Sequence, residues 1–179
     1  MKTLIVMDSN NYDDSMPRFF REAVRAIILT NKKIALVKSE KAGYYKFPGG
    51  GIENGETHQQ TLIRETKEET GLNIDTSSIK VYGKVKEIRK SLYDNEVFEQ
   101  ISYYYFCKVI ENEISHTNLD KYEAELGYHL EYVTIDEAIK QNSTYESKEG
   151  LEFIKRETNI LRLLLNRQND NKIAKHNPS

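Results

Sequence analysis

Between Gly50 and Leu72 the chain reads GGIENGETHQQTLIRETKEETGL, and no other stretch limits the fold so tightly. A helix is written into it at both ends. Thr57 followed three residues later by Gln60 is a capping box, and Gly71 suits the left-handed residue that closes a helix. On such a helix Glu65 lies three residues before Glu68 and four before Glu69, so three carboxylates crowd one end of one face. Like charges at that spacing repel by about 0.2–0.5 kcal/mol per exposed pair. The apolar content is thin, mainly Leu62, Ile63 and the methyl group of Thr66, so most of the surface carries charge. A solvated acidic face is the ordinary meaning of such a run, yet a helix built for stability alone would place lysines among the glutamates. The crowding calls for a cation, and a hard divalent ion with oxygen ligands is the natural one, Mg2+ first and Mn2+ as a substitute. Just before the helix, three consecutive glycines let the backbone turn tightly and bring carbonyl oxygens near a ligand. The loop lacks the Gly-Lys-Ser/Thr ending of a P-loop, the spacing of a dinucleotide fold and the acidic loop of an EF-hand.

The spacing is glycine, five residues, Glu56, seven residues, Arg64-Glu65, then Thr66, Lys67, Glu68-Glu69, Thr70, Gly71 and Leu72. This resembles the Nudix box of the Nudix hydrolase family, G-x5-E-x7-R-E-U-x-E-E-x-G-U, where U is a bulky aliphatic residue. Only Thr66 departs, standing where an aliphatic residue is usual. The preceding Tyr45-Lys46-Phe47-Pro48-Gly49-Gly50-Gly51 is similar to the aromatic-proline-glycine entry to the box. The resemblance implies an α/β fold, a Nudix-type α/β/α sandwich around a mixed β-sheet. It implies a Mg2+-dependent pyrophosphohydrolase that cleaves a nucleoside diphosphate linked to a further group X. It also implies that Glu65, Glu68 and Glu69 supply metal ligands or water-activating oxygens, helped by a backbone carbonyl of Gly49 or Gly50. Glu69 and Glu65 are expected to matter most as ligands, with Glu68 as ligand or base. Arg64 and Glu56 are expected to hold those carboxylates in place through bidentate hydrogen bonds. The bland reading of Arg64 is a surface ion pair with Glu68.

Outside the box the assignments are looser. In many relatives a further acidic residue from a loop beyond the sheet completes the site. Glu123 and Glu125 are the candidates here, with Glu125 preferred and plain solvated carboxylates as the alternative. Glu87 and Glu99 lie on expected strands that could approach the same place. The four histidines show no metal-ligand spacing. Tyr44, Tyr45 and Phe47 could stack on a base, although packing is the commoner fate of such residues. The subfamily signatures for ADP-ribose and for dinucleoside polyphosphates are missing after the box, where Ile88, Arg89 and Lys90 stand. Nucleoside triphosphates, oxidised nucleotides and nucleotide sugars therefore stay open as substrates. Arg21, Arg25, Lys38, Lys46 and Arg89 are candidate phosphate contacts. Two readings compete with the enzyme: a non-catalytic Nudix-fold nucleotide sensor or regulatory module, and a helical adaptor with an acidic face.

A chain of 179 residues suffices for one domain with a real core, expected over residues 1–166 with a mobile polar tail over 167–179. A formal net charge of −2 exerts no general pull toward nucleic acid or anionic membrane, so a small-molecule nucleotide is the expected partner, with no nucleic acid and no membrane, and a homodimer is left open. No run reaches the ~18 apolar residues of a membrane span, and a cytoplasmic enzyme is the default. The single Cys107 reads as a small buried hydrophobe. Strands are expected at Leu4 to Met7, Arg21 to Leu29, Ile34 to Lys38, Ile79 to Arg89, Val97 to Ile110 and His129 to Thr134. Helices are expected from Asp136 and from Gly150 to Leu165.

Overall fold

The structure is a computed structural model and describes residues 1–148 and 150–176. Its elements run β1 (Thr3–Asp8), β2 (Arg18–Thr30), β3 (Lys33–Ser39), β4 (Tyr45–Lys46), α1 (His58–Thr70) and β5 (Leu72–Ile74). They continue with β6 (Lys80–Lys90), β7 (Val97–Cys107), β8 (Val109–Ile114), α2 (Lys121–Leu126), β9 (Tyr128–Val133), α3 (Ile135–Ser143) and α4 (Glu152–His176). Seven strands form one mixed sheet in the order β1-β6-β7-β2-β3-β4, with β9 pairing to β3. β2 runs parallel to β7, β1 runs parallel to β6, and β6 and β7 form an antiparallel hairpin.

Alternation along β2 assigns its two faces. Val24, Ala26 and Ile28 pack with Leu62 of α1 and with Leu72, Ile74, Tyr105 and Cys107. Ile27 points the other way, into a second core where Phe47, Val85 and Tyr104 meet Ile135 of α3 and Ile160, Leu161 and Leu164 of α4. Helices thus cover both faces, and the expected α/β/α sandwich is what the chain forms. Cys107 is buried, and desolvation pushes its thiol up to about 12, as a small core hydrophobe would behave. Tyr44, Tyr45 and Phe47 are also core residues, 1%, 5% and 0% exposed, so they pack and do not stack on a base.

Three sequence expectations change. The strand expected over Val97 to Ile110 breaks at Lys108, whose N–H donates to Ser78 Oγ at 2.8 Å and whose carbonyl accepts from the Asp75 N–H at 3.0 Å. The chain beyond it, β8, leaves the main sheet and pairs with β5. The helix expected to stop at Leu165 runs on through Arg167 to His176, across most of the segment read as a tail, while residues 177–179 lie outside the described residues. Finally, Glu123 and Glu125 stand on helix α2 and not on a loop.

Candidate functional site

The glycine loop is bound edge-on to β2. Ala26 N–H donates to the Pro48 carbonyl at 2.8 Å, Val24 N–H to the Gly50 carbonyl at 2.9 Å, and Ile52 N–H to the Glu22 carbonyl at 3.1 Å. Each glycine has its own reason to lack a side chain. A Cβ on Gly49, where φ is +134°, would lie 2.1 Å from the Val24 carbonyl oxygen of β2. On Gly50 it would lie 2.3 Å from the Glu65 carboxylate, and on Gly51 it would lie 2.9 Å from Arg21 Nη2. The loop is therefore clamped between a strand, a carboxylate and a guanidinium.

α1 delivers the carboxylates. Thr57 and Gln60 form the expected capping box, and Gly71 closes the helix at φ 74° in the left-handed region. Thr66, the departure from the box pattern, is fully buried, and its hydroxyl finds no hydrogen-bond partner among the described residues. Such an orphaned hydroxyl costs about 1–3 kcal/mol that an aliphatic residue would spare.

Glu69 is 1% exposed and accepts the Gly49 N–H at 2.9 Å, while the Lys46 ammonium rests on its other oxygen. Burial raises the Glu69 pKa to about 7, and Lys46 and the Gly49 N–H pull against that rise. Desolvation, not repulsion from the neighbouring carboxylates, is the cause of that rise.

Arg64 does more than pair with Glu68. Its guanidinium makes a bidentate fork to Glu56 at 2.7 and 2.8 Å, and its remaining arm reaches Glu65 at 2.7 Å and Glu68 at 3.2 Å. Hydrogen bonds from Arg64 first, then from Thr61, hold Glu56 down to about 2. A single guanidinium therefore fixes three carboxylates at the positions the spacing implied.

Glu65 and Glu69 open into a cleft of about 500 Å³ together with Gly49, Gly50 and Gly51. Glu68 and Glu125 do not line it. Glu125, the preferred candidate, is exposed and off the cleft, whereas its neighbour Glu123 lines the cleft beside Asp120 and Tyr122. Glu123 is also the capping partner of the Asp120 N–H at 3.0 Å. Glu87 reaches the cleft, but Arg156 at 2.8 Å and Arg89 at 3.0 Å occupy its carboxylate; Glu99 pairs elsewhere, with Lys86 and Arg18. The carbonyls of Gly49 and Gly50 already accept hydrogen bonds, from Arg25 and from the Val24 N–H.

Among the described residues no three His, Cys, Asp or Glu side chains converge as a ready metal shell. The donors nevertheless suit a hard cation. They are all oxygens, and the buried Glu69 carboxylate already holds a positive charge against it, that of Lys46.

Sequence reasoning missed Arg156 and the cleft aromatics Tyr93, Phe98, Tyr122, Tyr128 and Phe153. Tyr93 and Tyr122, 91% and 61% exposed, sit in short polar stretches where a large exposed ring is itself the available signal.

With the geometry in place, comparison with known proteins is decisive. The NUDIX domain profile matches residues 19–156. The chain belongs to the Nudix family. It is 33% identical over 116 residues to Nudix hydrolase 3 of Caenorhabditis elegans, covering 65% of this chain and 44% of that protein. It is 45% identical over 38 residues to an 8-oxo-dGTP diphosphatase of Proteus vulgaris, covering 21% of this chain and 34% of that protein. A Nudix hydrolase from Nitrosomonas europaea aligns in structure at TM-score 0.49 and 18% identity, over 76% of this chain and 87% of that one. This chain spans less than half the length of either curated relative. No helix among the described residues is long and apolar enough to cross a membrane.

Proposed function

We propose that this Nudix chain is a divalent-cation-dependent pyrophosphohydrolase that cleaves a nucleoside diphosphate linked to X, with a nucleoside triphosphate, an oxidised nucleotide or a nucleotide sugar as substrate. The observation that carries the reading is the meeting of Glu65 and Glu69, one turn apart on α1, with the glycine loop on one wall of a cleft that also presents Arg21, Arg25 and Lys46. Carboxylates and arginines in one cleft match a substrate that is polyanionic and needs a cation to be approached by water. The similarity to an 8-oxo-dGTP diphosphatase supports a nucleotide as that substrate.

Glu65 and Glu69 would hold the cation, with Glu68 and the Gly49 or Gly50 carbonyl as further oxygen donors. A bound Mg2+ or Mn2+ would withdraw charge from phosphoryl oxygens and make a nearby water more acidic. The remaining work falls to the protein's own side chains. Arg64 keeps Glu65 and Glu68 oriented while Glu56 holds Arg64. Lys46 neutralises Glu69 and would give way to a bound cation, and its ammonium lies 5.0 Å above the Tyr128 ring. Water adds to one phosphorus, the bridging oxygen leaves with the other, and the two products each carry a phosphate group.

The test is phosphate release, through a coupled phosphatase, from nucleoside triphosphates, oxidised nucleotides, nucleotide sugars, ADP-ribose and dinucleoside polyphosphates, with Mg2+ and with chelator. Turnover of at least one compound, abolished by chelator and reduced by about 100-fold or more in Glu69→Gln, is expected. Ligand-induced stabilisation with no turnover would instead identify a regulatory module.

A further inference from the structure

Glu53, Asn54, Gly55 and Glu56 make the turn that leads into α1. The Glu56 N–H closes it on the Glu53 carbonyl at 3.0 Å, and the Glu53 N–H donates to the Glu56 carboxylate at 3.2 Å. Gly55 sits in the left-handed region at φ 85°, a conformation that glycine adopts without strain. Asn54 and Gly55 are both exposed, and a Cβ on Gly55 would meet nothing within 4 Å.

This turn sets a side-chain amide beside the least hindered backbone nitrogen that a chain can offer, because glycine has no Cβ to block the approach. Asparagine is among the thermolabile residues. No other asparagine of the chain is followed by glycine. Neither the Asn54 carboxamide nor the Gly55 N–H is held by a hydrogen bond among the described residues. Asn142, which precedes the small Ser143, shows the opposite case. It is 0% exposed on α3, its Oδ1 accepts the Tyr45 N–H at 2.8 Å, and its Nδ2 donates to the Tyr45 carbonyl at 3.0 Å.

We infer that Asn54 is a site of spontaneous deamidation, and that its isoaspartate product dismantles the Glu56 anchor of the box helix. The Gly55 nitrogen bonds to Asn54 Cγ and gives up its proton, and the side-chain amide leaves as ammonia, which closes a cyclic succinimide. Water then opens the ring. Cleavage between the ring nitrogen and Cγ gives aspartate. Cleavage between that nitrogen and the backbone carbonyl carbon gives isoaspartate, in which the main chain runs through Cβ and Cγ and is one carbon longer. Water is the sole co-reactant, and nothing is oxidised or reduced.

The extra carbon falls between Glu53 and Glu56, whose spacing the turn fixes. Glu56 holds Arg64 by its fork at 2.7 and 2.8 Å and accepts from Thr61 Oγ1 at 2.7 Å, while Glu53 lies 3.8 Å from the same guanidinium. A longer turn shifts Glu56 against Arg64, and Arg64 in turn orients Glu65 and Glu68. The expected effect on cation binding rests on the pyrophosphohydrolase reading; the modification itself does not.

The experiment holds the full chain, as wild type, Asn54→Gln and Asn54→Asp, in mildly alkaline and mildly acidic buffer over weeks. Peptide mass and chromatography then map each sample and separate isoaspartate from aspartate, and Mn2+ binding and urea unfolding are measured on the same material. In the wild type the peptide carrying position 54 is expected to gain the mass difference between oxygen and NH, faster in alkali, with Asn142 unchanged. Asn54→Gln is expected to stay intact, because its longer side chain closes a less favourable ring. The isoaspartate form is expected to bind Mn2+ about 10-fold more weakly, the scale of losing a residue that orients a metal ligand. Asn54→Asp carries the product charge on a turn of normal length and is expected to bind Mn2+ as the fresh wild type does. An Asn54 still intact after a free peptide of the same sequence has converted would overturn the site. Isoaspartate with unchanged Mn2+ binding and unfolding, or an equal loss in Asn54→Asp, would overturn the backbone consequence. Isoaspartate that lowers stability in a chain that binds no Mn2+ at all would support the inference and remove the cation reading.

Discussion

Arg64 shows how much of this site depends on one side chain. Its fork to Glu56 and its third arm to Glu65 and Glu68 keep apart carboxylates that would otherwise repel at the spacing of a single helical turn. Glu56, at 20% side-chain exposure, is the anchor of the arrangement, and its pKa of about 2 gives that anchor a pH signature. A carboxylate whose folded value lies below its ordinary 4.5 adds stability above 4.5 and loses it as pH falls toward about 2. Denaturant unfolding followed from pH 7 to pH 2 is therefore expected to show wild type ahead of Glu56→Gln at neutral pH, with the gap closing over the acid range. A gap that stays constant across that range would mean that the Glu56 charge is not what Arg64 holds.

At the level of elements, α4 positions a loop that lies more than a hundred residues before it in sequence. Glu157 accepts the Phe47 N–H at 2.8 Å, and Phe47 leads directly into Pro48 and the glycines. Arg156 locks Glu157 and Glu87 of β6 together in a site where all three side chains are at most 4% exposed. Burial alone would depress the pKa of that guanidinium, and the two carboxylates more than reverse the effect. Arg156→Met leaves the buried Glu157 without its charge partner and Glu87 with Arg89 alone, and a loss of about 3–5 kcal/mol in urea unfolding is expected. A loss below about 1 kcal/mol would show that the triad is not shielded from water as its burial implies.

Across the whole molecule, what could be read from the sequence is what local chemistry decides. The Thr57 capping box and the Gly71 stop each follow from a few neighbouring residues. What could not be read is decided by distant partners. The apolar run through Val109 shows no break at Lys108 until Asp75 and Ser78 arrive to bind its backbone, and Leu72 and Ile74 then recruit β8. Whether Glu123 or Glu125 faces the cleft depends on the phase of α2, which capping at Asp120 sets. Arg156 could not be assigned to the cleft because nothing local announces that α4 brings it against Glu87 of β6. The box itself was legible because all its fixed positions lie on one helix and the turns that flank it.

The claim on which everything else depends is that Glu65 and Glu69, together with the glycine loop, take a divalent cation in place of Lys46. Binding of Mn2+ to the full chain, counted by electron paramagnetic resonance of the free ion, tests it directly in the wild type, Glu65→Gln and Glu69→Gln. Saturable binding in the wild type, weakened by about 10-fold or more in both variants, is expected. Equal Mn2+ binding in all three proteins would place the cation elsewhere and contradict the proposed site.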